Sequence, residues 1–474
     1  MDRRDFLKQG FLAALTLGGA SLSQGRSPLR EELQSVRSVI FFIYDGFDWE
    51  NFTLARHFSL QERGRPLLLE RLFQEGALGG LFTSSRNSLV TDSAAASTAF
   101  GCGQKTDNRY LGMLPDGRKL RTILELARAQ GRAIGLITTT RITHATPAGF
   151  AAHVPDRDME DEIAAQYLSL APEVLLGGGS RHFDPERRED RRDLYAEYRR
   201  AGYSMLRTAE ELERANGSRL LGTFAPSHLP YEVDRRFQGE PGPSLREMVQ
   251  KGLAVLDGYD RGFVVQIEAG RIDHANHAND PGAMLWEVLA ADEALEVVFD
   301  YVQRRPETLL LFASDHGTGG GVLYGLGGGY AHTNAGFAHL SNRRASYDWL
   351  LERWAEDRSE ARIREEAREK LGVELSPEDL SRVLALLDGR VEVPDPVAYH
   401  TGTNALAWAV ADGGSFERPE QLNVAYATGQ HTAGIVPVAV LGGGVAPGPL
   451  GLVENTALFF WAARALGVPV TLDG

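Results

Sequence analysis

The chain has 474 residues, 43% of them hydrophobic and 24% charged, with a formal net charge of −14. This is the mix of a soluble globular protein, long enough for two or three domains or for one large α/β domain with insertions, and it excludes a disordered or membrane-embedded chain. The acidic balance argues against nucleic acid as a partner, because strand binding needs a basic stripe to displace counterions, and it fits a protein whose carboxylates hold metal cations.

Residues 1–25 read as a targeting segment. Arg3 and Arg4, then Phe6, Leu7 and Lys8, lead into an apolar stretch at 11–17 and small residues at 18–23. The pattern resembles a twin-arginine export signal, which implies a periplasmic or extracellular protein. No other apolar run is long and glycine-free enough to span a bilayer, so no stable membrane insertion is expected after signal removal. Cys102 is the only cysteine, which excludes an intrachain disulfide; at the end of a small-residue helix it is expected to be packed rather than reactive.

Beyond the signal, short apolar or β-branched runs alternate with helical patterns. Strands are expected at 39–44, 133–138, 173–176, 263–268, 308–313 and 436–441, and apolar residues recur at helical spacing over 285–302 until Pro306 stops the helix. This alternation predicts an α/β fold, a three-layer sandwich with a central, mostly parallel sheet and helices on both faces, with function at the carboxyl ends of the strands. The charged stretches 181–246 and 319–396 break the rhythm and read as excursions from the sheet. The second opens an accessory cap-like insertion within 319–425 of a catalytic domain at 36–474.

The residues that carry chemistry sit where the strands end. Asp45 follows the first strand, with Gly46 letting the backbone turn; helix capping is the plain alternative. Asp92 suits an N-cap and places Ser93 in the first turn of a helix, where free N–H groups and the helix dipole favour negative charge. In Thr143-His144-Ala145-Thr146-Pro147, Thr146 offers a hydroxyl to a hard cation, while Arg157 offers a planar fork for two phosphate oxygens. His153 reads as a supporting residue. Glu268 ends a strand, and Asp273 and His277, four apart, share one side of a helical turn within reach of one zinc ion. Asp315 and His316 end the next strand before glycines that permit a bend. His431 precedes the last strand, and His400 competes with it for the final ligand position; His431 is preferred for its place directly before a strand. Mixed oxygen and nitrogen donors without thiolates suit zinc at two positions and magnesium at an oxygen-rich third.

In this order, the blocks Thr-Asp-Ser-Ala-Ala, His-Ala-Thr-Pro-Ala with the downstream Arg, Glu-x-x-x-Ile-Asp-x-x-x-His, Asp-His-x-Thr-Gly-Gly and the late His-Thr resemble the alkaline phosphatase family over roughly 36–467. The resemblance implies hydrolysis of small phosphate monoesters through a phosphoserine on Ser93, with an alkaline optimum. It implies one zinc site from Asp273, His277 and His431, a second from Asp45, Asp315, His316 and Ser93, and a magnesium site from Asp45, Thr146 and Glu268. Arg157 and His274 would contact substrate, with His144 and His153 behind them. A homodimer is a further implication. Tyr44-Asp45-Gly46-Phe47 departs from the family's usual Gly-Asp-Gly-Met, and His144 and His274 stand where family members vary. The rival readings are a phosphodiesterase or sulfatase on the same scaffold, and a phosphate- or metal-binding protein without catalysis.

Overall fold

The computed structural model describes residues 33–390, 406 and 423–469; the export segment and His400 lie outside the described residues. Buried runs of Val, Ile, Leu and Phe form the strands β1 (Ser38–Tyr44), β2 (Ala77–Phe82), β3 (Ala133–Arg141), β4 (Val174–Gly178), β5 (Ser204–Leu206), β6 (Leu220–Thr223), β7 (Phe263–Ala269) and β8 (Thr308–Ser314). The short strands β9 (Gly317–Thr318), β10 (Val322–Leu323), β11 (Val424–Ala425) and β12 (His431–Thr432) come next, then β13 (Val436–Gly442) and β14 (Gly448–Glu454). A ten-stranded sheet has the order β14-β2-β13-β8-β1-β7-β3-β4-β6-β5. Its pairings are parallel except those of β13, which runs antiparallel to β8 and to β2.

Alternate residues of β1 enter two different cores, Ile40, Phe42 and Tyr44 on one face and Val39, Phe41 and Ile43 on the other. This period-2 division is what a strand covered by helices on both faces requires. The first core receives the helix Pro281–Arg304, which contributes Leu285, Leu289 and Phe299, and the second receives Ala457–Ala465. The expected three-layer α/β sandwich is present, as is each of the expected strands.

One expectation needs correction. The stretch 181–246 is not simply an excursion, because β5 and β6 extend the sheet beside β4. Strands of this length, set among arginines and glutamates, carry too little alternation to be read from sequence. The later charged stretch does gather its own hydrophobic cluster, with Tyr347, Trp354, Ile363, Leu371 and Val383 buried together. It is fastened to the main body by Tyr347 N donating to Asp280 Oδ2 (2.8 Å) and Ser346 Oγ donating to Asp234 Oδ2 (2.6 Å). Among the described residues no helix is long and apolar enough to cross a membrane.

Strand order and register position the site. β8, β1, β7 and β3 are consecutive neighbours. Tyr44 lies opposite both Ser314 and Ala269, and Thr138 opposite Glu268. Asp45, Asp315 and Glu268 therefore emerge side by side at one edge. Because β13 runs the other way, its beginning rather than its end lies at this edge, with Val438 opposite Ala313, and this carries the preceding His431 to the site.

Tyr44, the departure noted next to Asp45, is absorbed by aromatic packing: its ring meets Phe42, Phe47 and Phe312 edge-on at centroid distances of 5.4, 5.3 and 5.0 Å. Burial, with Asp292 nearby, pushes the phenol well above its ordinary pKa, and its hydroxyl has no hydrogen-bond partner among the described residues. A buried unpaired hydroxyl costs stability that its removal restores. Tyr44→Phe is therefore expected to stabilise the protein by about 1 kcal/mol, read as a higher denaturant midpoint. A lower midpoint would show that the hydroxyl is satisfied.

Candidate metal centre

Ser93 opens the helix Ser93–Cys102. The helix begins there because Asp92 caps it, its Oδ1 accepting from Ala95 N at 2.9 Å. The helix lies close against the turn that carries Thr146: Ser97 Oγ donates to Ala145 O (3.0 Å), and a Cβ on Gly149 would strike Ser97. Cys102 is buried at the far end of this helix, and burial pushes its thiol above its ordinary value, so it packs and does not react. Ser93 Oγ lies 3.2 Å from His316 Nε2.

Three groups of donor atoms gather at this edge of the sheet, and within each group the atoms lie within 4.8 Å of one another: Asp273, His277 and His431; Asp45, Asp273 and His316; and Asp45, His144 and Glu268. In the first group, His277 Nδ1 donates to Gly429 O (2.6 Å) and His431 Nδ1 to Thr91 O (2.9 Å). Those carbonyls only accept, so each ring carries its proton on Nδ1 and turns a bare Nε2 inward. The two Nε2 atoms face one another at 3.0 Å. Two lone pairs so close repel unless a cation accepts both. Asp273 completes the group, with Oδ2 3.3 Å from His277 Nε2.

Around the second group, His316 Nε2 is 3.6 Å from Asp45 Oδ1 and 3.3 Å from Asp315 Oδ2. Asp315 is fixed by Gly46 N donating to its Oδ1 (3.1 Å). Gly46 is required: its φ is +68°, and a Cβ there would meet the Asp273 backbone at 2.7 Å. In the third group Thr146 Oγ1 donates to Asp45 Oδ2 (3.2 Å), and Glu268 accepts from Thr138 and Thr140 hydroxyls. His144 was expected only as a supporting residue, yet its Nδ1 is buried and unpartnered beside these oxygens.

The donors fit cations for a reason internal to the chain. Asp45 Oδ1, Asp315 Oδ2 and Glu268 Oε1 are buried without hydrogen-bond partners. Burial first, then Asp315, Asp273 and Glu268, raise the Asp45 pKa well above the carboxylate range. Burial, then Asp273, push Asp315 to about 8. Burial also raises Glu268, against the hydrogen bonds it accepts. Burial acts upward on Asp273 too, but the His277, His431 and His316 rings outweigh it and hold that carboxyl low. Burial lowers the His316 and His144 pKa values well below the usual imidazole range and His431 to about 4.

The centre opens into a cavity of about 780 Å3 lined by Ser93, Arg157, His144, His274 and the first donor group. Arg157 is oriented by Asp92 Oδ2, which accepts from its Nη1 (3.2 Å), and by His144 Nε2, 3.2 Å from its Nη2. His153 stands apart, with Nδ1 on Gly112 O (2.7 Å) and Nε2 on Glu125 (3.1 Å), so it braces the fold and does not line the cavity.

The alkaline phosphatase family model matches residues 36–461. Among solved structures, alkaline phosphatase from Thermus thermophilus is similar with a TM-score of 0.89 and 44% identity, over 95% of this chain and 97% of that one. The cold-active alkaline phosphatase of a psychrophilic Shewanella gives a TM-score of 0.74 and 25% identity, over 90% and 99%. The repressible alkaline phosphatase of Saccharomyces cerevisiae is 37% identical over 322 residues, which is 62% of this chain and 56% of the yeast protein. The chain thus matches little more than half the length of that curated relative.

Metal binding must displace protons from the raised carboxyls, whereas the lowered imidazoles are already neutral at pH 7. Adding zinc and magnesium to chelator-treated protein at pH 7 in weak buffer is expected to release roughly one proton or more per chain. The release should grow toward lower pH and fade above the Asp315 pKa of about 8. The sign for metal-free stability is set in the same way: a carboxyl raised on folding penalises the fold as pH climbs from about 4 through 8. Proton uptake on metal addition would contradict this account.

Proposed function

The chain belongs to the alkaline phosphatase family, and from that premise we propose that it hydrolyses phosphate monoesters to an alcohol and inorganic phosphate through a phosphoserine on Ser93. The observation that carries this reading is the place of Ser93 Oγ, at a helix N-terminus, 3.2 Å from His316 Nε2, in one cavity with Arg157 and the clustered carboxylates and imidazoles. Asp273, His277 and His431 would hold one zinc ion, and Asp45, Asp315 and His316 with Ser93 a second. Asp45, Thr146 and Glu268 would hold magnesium, with His144 offering a nitrogen to the same position. When bound, these ions supply Lewis-acid stabilisation of the attacking and departing oxygens.

The chain's own residues do the rest. Ser93 Oγ attacks phosphorus in line, the P–O bond to the alcohol breaks, and the alcohol leaves with a proton. The N-terminal N–H groups of the Ser93–Cys102 helix face the charge on the phosphoryl oxygens. Arg157, held at two of its nitrogens by Asp92 and His144, presents its fork to two of those oxygens, which orients the group for attack and for the return of water on the opposite side. Water then cleaves the phosphoserine, restoring the Ser93 hydroxyl and releasing phosphate. We read residues 1–25 as the signal that exports the enzyme through the twin-arginine pathway, the segment following 319 as an accessory insertion, and the assembly as a homodimer.

Hydrolysis of a chromogenic phosphate monoester by zinc- and magnesium-loaded protein tests the reading. Turnover is expected to vanish with chelator and to fall at least about a thousandfold in Ser93→Ala. No turnover in fully loaded wild-type protein would overturn the monoesterase reading and point to diesters or sulfate esters. Arg157→Ala should lower kcat/KM by about 10- to 100-fold, the worth of a charge-assisted bidentate contact. An unchanged value would remove Arg157 from the phosphate site.

A further inference from the structure

The cavity that holds Ser93 carries a second basic group that phosphate-ester cleavage does not use. Four arginines line the cavity. Arg109 is bound to Asp156 at 2.8 Å, Arg141 to Glu160 at 2.7 Å and Arg157 to Asp92 at 3.2 Å. Arg271 has no carboxylate partner among the described residues. Its guanidinium carbon lies 3.6 Å from the centroid of the Tyr231 ring, its Nη1 donates to His274 Nδ1 (2.9 Å), and its Nε is buried without a hydrogen-bond partner. Because Nδ1 of His274 accepts, that ring carries its proton on Nε2 and is a donor there.

The distance from this group to the phosphate-facing residues is bridged by a single ring. His144 stands 5.5 Å, centroid to centroid, from His274, and its Nε2 lies 3.2 Å from Arg157 Nη2. An arginine stacked on a buried aromatic ring, weakly hydrated and short of acceptors, is a site for an anion. Among the described residues, Asp348 is the one carboxylate of the accessory helices in the lining, and it makes no bond to Arg271. We propose that Arg271, braced by Tyr231 and His274, anchors a second anion subsite, so that favoured substrates carry a further carboxylate or phosphate group close to the phosphate ester. The inference rests on the reading that Ser93 and Arg157 face the reacting phosphate.

Calorimetric titration of the zinc- and magnesium-loaded protein with two non-hydrolysable ligands, ethylphosphonate and 3-phosphonopropionate, tests the subsite without relying on turnover. Wild-type protein is expected to bind 3-phosphonopropionate about 10- to 100-fold more tightly. Arg271→Ala should bring this ratio close to one, and Arg271→Lys should retain a part of it. The ratio cancels any general damage to the cavity, and the wild-type ratio alone is informative if a variant fails to fold. Equal binding by wild-type protein, or a ratio unaffected by Arg271→Ala, would overturn the subsite. Parallel hydrolysis of glycerol 2-phosphate separates the two readings: turnover with no ligand discrimination removes only the subsite, and discrimination with no turnover removes only the esterase. Adding 1,3-propanediyl bisphosphonate to the series distinguishes a phosphate-bearing from a carboxylate-bearing partner group.

Discussion

Mutual repulsion among Asp45, Glu268, Asp273 and Asp315, all buried at one edge of the sheet, is the constraint on which the rest of the structure depends. Burial alone disfavours each charge, and each neighbour disfavours it further. The surroundings answer with hydroxyls from Thr138, Thr140, Thr146 and Thr318, with the Gly46 amide, and with imidazoles whose bare nitrogens point inward. None of these neutralises the charge. The raised carboxyls of Asp45, Glu268 and Asp315 therefore resist ionisation until cations take the place of protons, which is what a chain without disulfides can use as a cross-link between distant segments.

The same cluster also accounts for the position of the neutral and positive groups. Arg157 is kept on the cavity side, tied to Asp92 and His144, so its guanidinium faces the cavity and is not consumed by the clustered carboxylates of Asp45, Glu268 and Asp315. Ser93 sits where a helix N-terminus, an imidazole and the carboxylate cluster meet.

Much of this was legible in the sequence. Strands β1, β3, β7 and β8 are apolar runs closed by Asp, Thr or Glu, and the parallel architecture brings such ends together. The spacing of Asp273 and His277 carried helix geometry with it. Other parts had no local signal. β2 reads Ala-Leu-Gly-Gly-Leu-Phe, and glycine normally marks a turn; here Gly79 and Gly80 are tolerated because β14 and Ile435 crowd the strand. β5 and β6 are too short to show a period. The donor role open to His144, and the lack of a carboxylate partner for Arg271 among the described residues, depend on contacts between residues far apart in the chain, which no spacing rule can reveal.

The strand order has a consequence in time. β2 is the second strand to leave the ribosome, yet its only neighbours in the sheet are β13 and β14, with Ala77 opposite Val440 and Gly448. His431, which closes the first donor group, is made in the same late interval. During synthesis the chain thus carries an unsatisfied strand and an open charge cluster across some 350 residues of growth. Pairings of such long range are slow and leave edges exposed to wrong partners. Whatever guards the nascent chain, its task ends only when the last strands arrive, and the sheet and the centre are sealed by one event.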